Sequence, residues 1–325
     1  MTIKFRLFLI SLLVLGQASL LQASEPPYPN RPIRIIVPFP ASGGVDIIGR
    51  LLAQKLGPAL NQTIIVENRA GAGGSIGADL VAKSAADGYT ILIGASSTMA
   101  VNPNVLEKLP YDTLRDFAGI SLIASAPIVL AVHPSLPVRT VRELIDYARQ
   151  NPGKLNFASG GNGSGGHLSG EMLKAMAGID IVHVPYKGSA PAATDLIAGQ
   201  VQIIFDSPLS VMPHVKTGRA RALGVGSAQR SGIAPDVPTI AEGGIPGYQS
   251  VIWYGAFVPA ATPSAIVSRL NAETVKGVLQ PDAREHLARQ GADVWGSSAE
   301  ECNAFLKAEL GRWGSIIKTA KIRFD

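Results

Sequence analysis

Apolar positions in this chain follow two patterns that alternate from one end to the other. Short β-branched runs predict strands at Ile33–Val37, Thr63–Glu67, Thr90–Ile93, Ile128–Val132, Leu155–Ala158, Ile181–Val184, Val201–Asp206, Ala222–Val225 and Ile252–Val258. Between them, apolar residues recur every three or four positions, the helical period. Val45, Ile48, Leu52 and Leu56 share one face, as do Leu306, Leu310, Trp313 and Ile317. Helix starts are marked as well. Thr140-Val141-Arg142-Glu143 and Ser298-Ala299-Glu300-Glu301 read as capping boxes, and Thr262-Pro263 as an N-cap with proline at the first helical position. Continuous apolar strands between amphipathic helices predict an α/β fold whose parallel sheets are covered on both faces.

Two of the strand-to-helix junctions are unusually rich in glycine. Pro38-Phe39-Pro40-Ala41-Ser42-Gly43-Gly44 follows the first strand, and Ser159-Gly160-Gly161-Asn162-Gly163-Ser164-Gly165-Gly166-His167 follows the fifth. Glycine lets backbone approach a ligand closely, and a helix start presents unpaired N–H groups with partial positive charge. Two such turns face to face would clamp a small carboxylate with few charged side chains.

Length and composition narrow the setting. Lys4 and Arg6 precede an apolar run, Leu7 to Leu15, too short for a permanent membrane anchor; small residues follow, and 1–24 reads as an export signal cleaved near Ala23. About 300 residues then remain, a size at which one core divides into two. No Pro/Ser-rich tether separates two halves, so the chain is expected to cross between lobes twice, at Ala126-Pro127 and at Gly243-Gly244-Ile245-Pro246-Gly247. Cys302 is the only cysteine, which excludes an internal disulfide and a cysteine metal site and suits the periplasm. The net charge of +5 includes two leader cations, and the remaining Lys and Arg are scattered, so no nucleic-acid surface is expected.

Several motifs match known chemistry only in form. Gly161-Asn162-Gly163-Ser164-Gly165-Gly166 fits G-x-G-x-x-G, but the next strand ends Val182-His183-Val184-Pro185 without the acid a dinucleotide ribose needs. Gly73-Gly74-Ser75-Ile76-Gly77 fits the nucleophile elbow, yet its serine is not at a strand end. None of the five histidines has metal-ligand spacing. No cofactor or metal is therefore expected. Ser96-Ser97-Thr98 and Asp206 end strands on the edge where open α/β sheets bind ligands, and His167 opens the helix after the second glycine turn. The serines and Thr98 read as ligand contacts over simple caps, Asp206 as a residue that orients loops over a ligand contact, and His167 equally as a capping residue or a pocket donor. Lys187 offers a cation, and Trp253 reads as core.

In order along the chain, further blocks are Tyr28-Pro29-Asn30-Arg31-Pro32, Val37 to Asp46, Val66-Glu67-Asn68-Arg69-Ala70-Gly71-Ala72-Gly73-Gly74, Asp87-Gly88-Tyr89-Thr90, Val184-Pro185-Tyr186-Lys187-Gly188, Phe205-Asp206, Pro235-Asp236-Val237-Pro238-Thr239 and Trp253-Tyr254-Gly255. Their succession resembles the Bug-type extracytoplasmic solute receptors of tripartite tricarboxylate transporters. That resemblance implies two Rossmann-like lobes joined by a hinge, as in type II-like periplasmic binding proteins. Lobe 1 is expected from 25–126 plus 251–325, and lobe 2 from 127–250. It implies a non-enzymatic, monomeric periplasmic receptor that closes on a small organic acid and delivers it to membrane permease subunits. The ligand is expected at Phe39, Ala41, Ser42 and Gly43 on one side and Ser159, Gly163, Ser164 and His167 on the other, with Ser97 and Asp206 nearby. Ser42, Val45 and Ser207 depart from the usual glycine or alanine, threonine and asparagine, which bears on ligand identity. The alternatives are an exported hydrolase-like enzyme, testable at Ser75 and Ser164, and a sensor that presents the ligand to a membrane signalling protein.

Overall fold

Every predicted strand forms within a residue or two of its expected position in the computed structural model, which describes residues 28–41 and 43–320. Met1–Asn30 and Arg31–Asp325 are separate compact units. Of the first, only residues 28–30 are described, with a cis peptide between Tyr28 and Pro29. The export signal at 1–24 lies outside the described residues. All that follows concerns the second unit.

The strands are β1 (Ile33–Val37), β2 (Ile64–Asn68), β3 (Thr90–Ala95), β4 (Phe117–Pro127), β5 (Val129–Val132), β6 (Asn156–Ser159), β7 (Val182–Pro185), β8 (Ile203–Asp206), β9 (Arg221–Val225), β10 (Val251–Pro259) and β11 (Asp293–Val294). They form two sheets, ordered β11-β4-β10-β3-β1-β2 and β7-β6-β8-β5-β9. The architecture is α/β with two sheets, as expected, but the sheets are mixed, not parallel as expected. Strands β1, β2 and β3 run parallel, as do β6, β7 and β8. Strand β10 is antiparallel to β3 and β4, and β5 is antiparallel to β8 and β9. The reversal follows from the path: β4 carries the chain out of the first sheet, and β10 carries it back beside β4.

Helix signals hold with one exception. Thr140 Oγ1 accepts from the Glu143 N–H (3.1 Å) to cap Val141–Gln150, and Glu143 reaches back to the Arg139 amide (2.6 Å). Ser298 and Glu301 cap each other's amides at 3.1 and 2.8 Å. Thr262 is the exception: its hydroxyl donates back to the Pro259 carbonyl, and Pro263 itself takes the N-cap position of Ser264–Val278. The expected stripes Val45–Leu56 and Leu306–Ile317 are buried, except that Leu310 is partly exposed. Trp253 is core, as expected. Its indole N–H donates to buried Glu309 (2.9 Å), which also accepts from Trp313 and Arg312.

Where the two sheets join, the chain's outward and return paths touch. The Ile128 N–H donates to the Ser250 carbonyl (3.2 Å), Gly226 to Ile128 (2.7 Å) and Ser250 to Gly226 (2.7 Å). A side chain at 226 would run into the Ser250 carbonyl oxygen, so only glycine lets the strands approach this closely. The outward crossing lies where Ala126-Pro127 indicated. The return crossing does not: Gly243 and Gly244 pack on Val141 and Arg142 beside the second sheet, and the chain returns at Ser250 instead. The glycines of that turn serve positive φ at 244 and 247 and close contact with the helix Val141–Gln150.

Candidate functional site

A cavity of 520 Å³ opens beside this junction, with walls from both sheets. One wall is Phe39, Ala72, Gly73, Ser96 and Ser97, at the C-terminal ends of β1, β2 and β3. The facing wall is Asn162, Gly163, Ser164 and Gly165, where β6 leads into the helix Gly165–Ala177. Ile128, Ser250, Val251 and Ile252 contribute from the crossing strands, Asn102, Leu168 and Trp313 from helices, and Leu106 from just beyond the short helix Asn102–Val105. Among the described residues, no charged side chain lines this cavity.

Local hydrogen bonds shape the first wall. Asn68 Nδ2 donates to the Phe39 carbonyl (3.0 Å) and to Asp46 (2.9 Å), whose other oxygen accepts from Arg50 (2.9 Å). Asp46 is thus buried and ion-paired in the first turn of Gly44–Leu60, a helix whose N-cap, Gly43, supplies no side-chain cap. Next to it, Gly71 to Gly74 all have positive φ, and Ala72 does so at 47° despite its Cβ, a conformation that is strained for a non-glycine residue. The Gly73 carbonyl accepts from Asn102 Nδ2 (2.9 Å) and Thr98 Oγ1 (3.2 Å), and Tyr111 donates to the Thr98 carbonyl (2.7 Å). Burial pushes the Tyr111 phenol up to about 12, so it stays a donor. These bonds hold the π-helical turn Ser97–Val101 against the Gly71–Gly74 loop and place Ser96 and Ser97 at the cavity.

The second wall is braced from below by two histidines. Ser164 Oγ accepts from the His167 amide (3.3 Å) and caps the helix, while His167 Nδ1 accepts from the Gly163 N–H (3.1 Å). The His167 ring stacks on His183 at 4.0 Å and 9°, and His183 stacks in turn on Phe157. His183 Nε2 lies 2.7 Å from Ser159 Oγ, which also exchanges hydrogen bonds with the Gly161 amide and carbonyl. Burial lowers the pKa of both histidines. His183, next to His167 and Lys174, is pushed down to about 4. Gly166 sits so close to the Phe205 carbonyl oxygen that a Cβ would collide with it.

The expected residues do not all meet at one place. Phe39, Ser97, Gly163 and Ser164 line one cavity. Ala41 and Gly43 are exposed at the first turn, and Ser42 lies outside the described residues. Ser159 and His167 are buried beneath the glycine loop, which they support. Asp206 is buried and accepts from Ser189 (2.9 Å) and the Ser207 amide (2.7 Å); burial raises its pKa while these donors draw it back. Lys187 is exposed. Sequence reading missed Leu106, Leu168, Ile252 and Trp313, which carry only a core-like apolar signal, and His183, which stands as a polar residue in an apolar strand.

Neither serine considered for hydrolysis meets a histidine ring. Ser75 is buried beside Asn102 (3.4 Å), and Ser164 bonds the His167 backbone. Ser159 does meet one, but it is fully buried and does not line the cavity. Among the described residues, no cluster of His, Cys, Asp or Glu could hold a metal, and no helix is long and apolar enough to cross a membrane.

Residues 48–322 match the family model described as the tripartite tricarboxylate transporter family receptor, TctC. Protein BugT of Bordetella pertussis is 37% identical over 292 residues, covering 90% of each chain. The solved structure of Rpa4515 of R. palustris with adipate is 38% identical, covers 91% of this chain and 99% of that one, and has a TM-score of 0.77. MatC from Rhodopseudomonas palustris with bound malate is 31% identical, covers 89% and 100%, and has a TM-score of 0.73.

Proposed function

The chain belongs to the tripartite tricarboxylate transporter receptor family, and from that premise we propose that it captures a small organic acid between its lobes, in the periplasm, for delivery to a membrane permease. The observation that carries the reading is the uncharged 520 Å³ cavity between two glycine-rich walls. Ser164 Oγ takes the His167 amide, and helix geometry leaves the Gly165 and Gly166 N–H groups at the start of Gly165–Ala177 without helical partners. A carboxylate there gains charge-assisted hydrogen bonds worth about 1.5–3 kcal/mol each. Adipate in one solved relative and malate in another support an acid as ligand.

Capture works by closure. The acid meets one wall while the lobes are apart, and the second wall completes its hydrogen bonds when they rotate about the paired crossing near Ile128, Gly226 and Ser250. On this reading the lobes divide near 126 and 250, residues 1–24 direct export, and the mature protein works as a monomer. Native mass spectrometry of protein purified without refolding, followed by a thermal-shift screen of acids and sugars, tests it. An acid at a hundred times its Kd is expected to stabilise by about 2.7 kcal/mol. Stabilisation by neutral sugars and by no acid would refute the assignment.

A further inference from the structure

We propose that Ser231 and Asp293 form a latch on the far side of the crossing strands, and that breaking it tightens the cavity's hold on its ligand. The proposal rests on the receptor reading above and deepens it: the pair sets affinity without touching the acid. In the first sheet, the order β11-β4-β10-β3-β1-β2 puts the crossing strands β4 and β10 between β11 and the strands whose ends wall the cavity. The second sheet repeats the arrangement. There β5 stands between β9 and the β7-β6-β8 side, and the facing cavity wall follows β6. On the far side the two sheets meet. Ser231 Oγ, in the segment after β9, donates to Asp293 Oδ2 of β11 at 2.9 Å and accepts from the Ile233 amide at 3.3 Å. Asp293 is paired with Ser125, at the end of β4 that leads into the crossing. Ser231 is buried, which shields the bond from water. Just ahead of Asp293 in the chain, Gly291 abuts the start of the helix Pro208–Lys216. A side chain at 291 would stand 3.2 Å from the Leu209 nitrogen and 3.6 Å from Pro208 Cβ.

Contacts on opposite sides of a pivot oppose each other. A rotation about Ile128, Gly226 and Ser250 that brings the cavity walls together draws β11 away from the segment after β9. Closure therefore breaks the Ser231–Asp293 bond, and the ligand's own contacts must make up the difference. Apparent affinity is the intrinsic affinity reduced by the fraction of molecules in the closing form. One hydrogen bond of ordinary net strength changes that fraction by about fivefold. Because the latch touches no ligand, it scales every affinity alike and leaves their ranking unchanged.

Ser231→Ala and Asp293→Ala each remove the bond from one side. Calorimetric titration of the mature wild type and variants with adipate and with malate is expected to show both variants binding about fivefold tighter, by the same factor for the two acids. The double variant is expected to add nothing to either single one, since all three break the same bond. Small-angle scattering of the ligand-free variants should shift toward the compact form that a bound acid induces in the wild type. Damage to the fold weakens binding, so a gain in affinity separates the latch from a merely structural role. Unchanged or weaker binding in both variants, with the wild type still binding, overturns the latch and leaves the receptor reading standing. A wild type that binds no acid in the thermal-shift screen overturns both.

Discussion

The stacked histidines beneath the glycine loop make stability depend on pH in a way that one substitution isolates. Burial, then the neighbouring His167 and Lys174, push His183 from 6.5 down to about 4. The folded pKa lies below the unfolded one, so the unfolded chain takes up the proton first. The stabilising contribution is therefore whole above pH 6.5 and is lost as pH falls from 6.5 toward 4. The complete shift corresponds to about 3 kcal/mol. The ring is only half-buried, and solvent screening brings the expected effect to about 1–2 kcal/mol. Urea unfolding of the wild type and His183→Phe, from about pH 7.5 down to about pH 4.5, measures it. Glu67, Asp116, Glu242 and Asp282 are held below their usual range by hydrogen bonds and ion pairs, and they too lose stabilisation in acid. They do so in both proteins, so the difference between the two curves reports His183. That gap should narrow by about 1–2 kcal/mol across the range. A gap that stays constant would refute the reasoning.

Other perturbations give equally definite outcomes. Glu309→Leu strands the indole N–H groups of Trp253 and Trp313 and the Arg312 guanidinium, and is expected to cost about 3–5 kcal/mol in urea unfolding followed by tryptophan fluorescence, with Glu309→Gln costing clearly less. Gly226→Ala forces a methyl into the Ser250 carbonyl, and is expected to cost about 1–3 kcal/mol and to blunt the ligand-dependent change in small-angle scattering. Gly166→Ala meets the Phe205 carbonyl in the same way; a thermal melt should show a loss of similar size, and an unchanged melting temperature would mean that the loop has room to shift.

Much of this structure was legible from local signals. Capping boxes marked the starts of Val141–Gln150 and Ala299–Ala320 because the residues that satisfy the first amides lie within four positions of each other. Strand β4 was not legible. Its sequence, FAGISLIASAP, is rich in small residues, and its burial between β10 and β11 leaves no alternation to read. Strand direction was hidden for another reason: Pro127 pairs with Val251, and nothing local records a partner so distant in sequence. Within the site, Phe39, Ser97, Gly163 and Ser164 were exposed to reading by glycine content and strand-end position. Leu106 and Trp313 were not, because a cavity wall and a core present the same residue types. His167 and Ser159 were noticed for their chemistry, yet they hold the wall's shape from behind it.

The register of β4 against β10 also says something about how such a molecule is put together. Pro127 and Val251 sit opposite each other, as neighbours across a hairpin do. Everything from residue 128 to 250 stands where a tight turn would otherwise be. All five strands of the second sheet, and the glycine wall with them, thus lie in a cassette inserted between β4 and β10. On the receptor reading proposed above, exchanging that cassette between relatives, with Ile128, Gly226 and Ser250 retained, is expected to transplant half of a binding specificity while leaving the host sheet's strand pairing undisturbed.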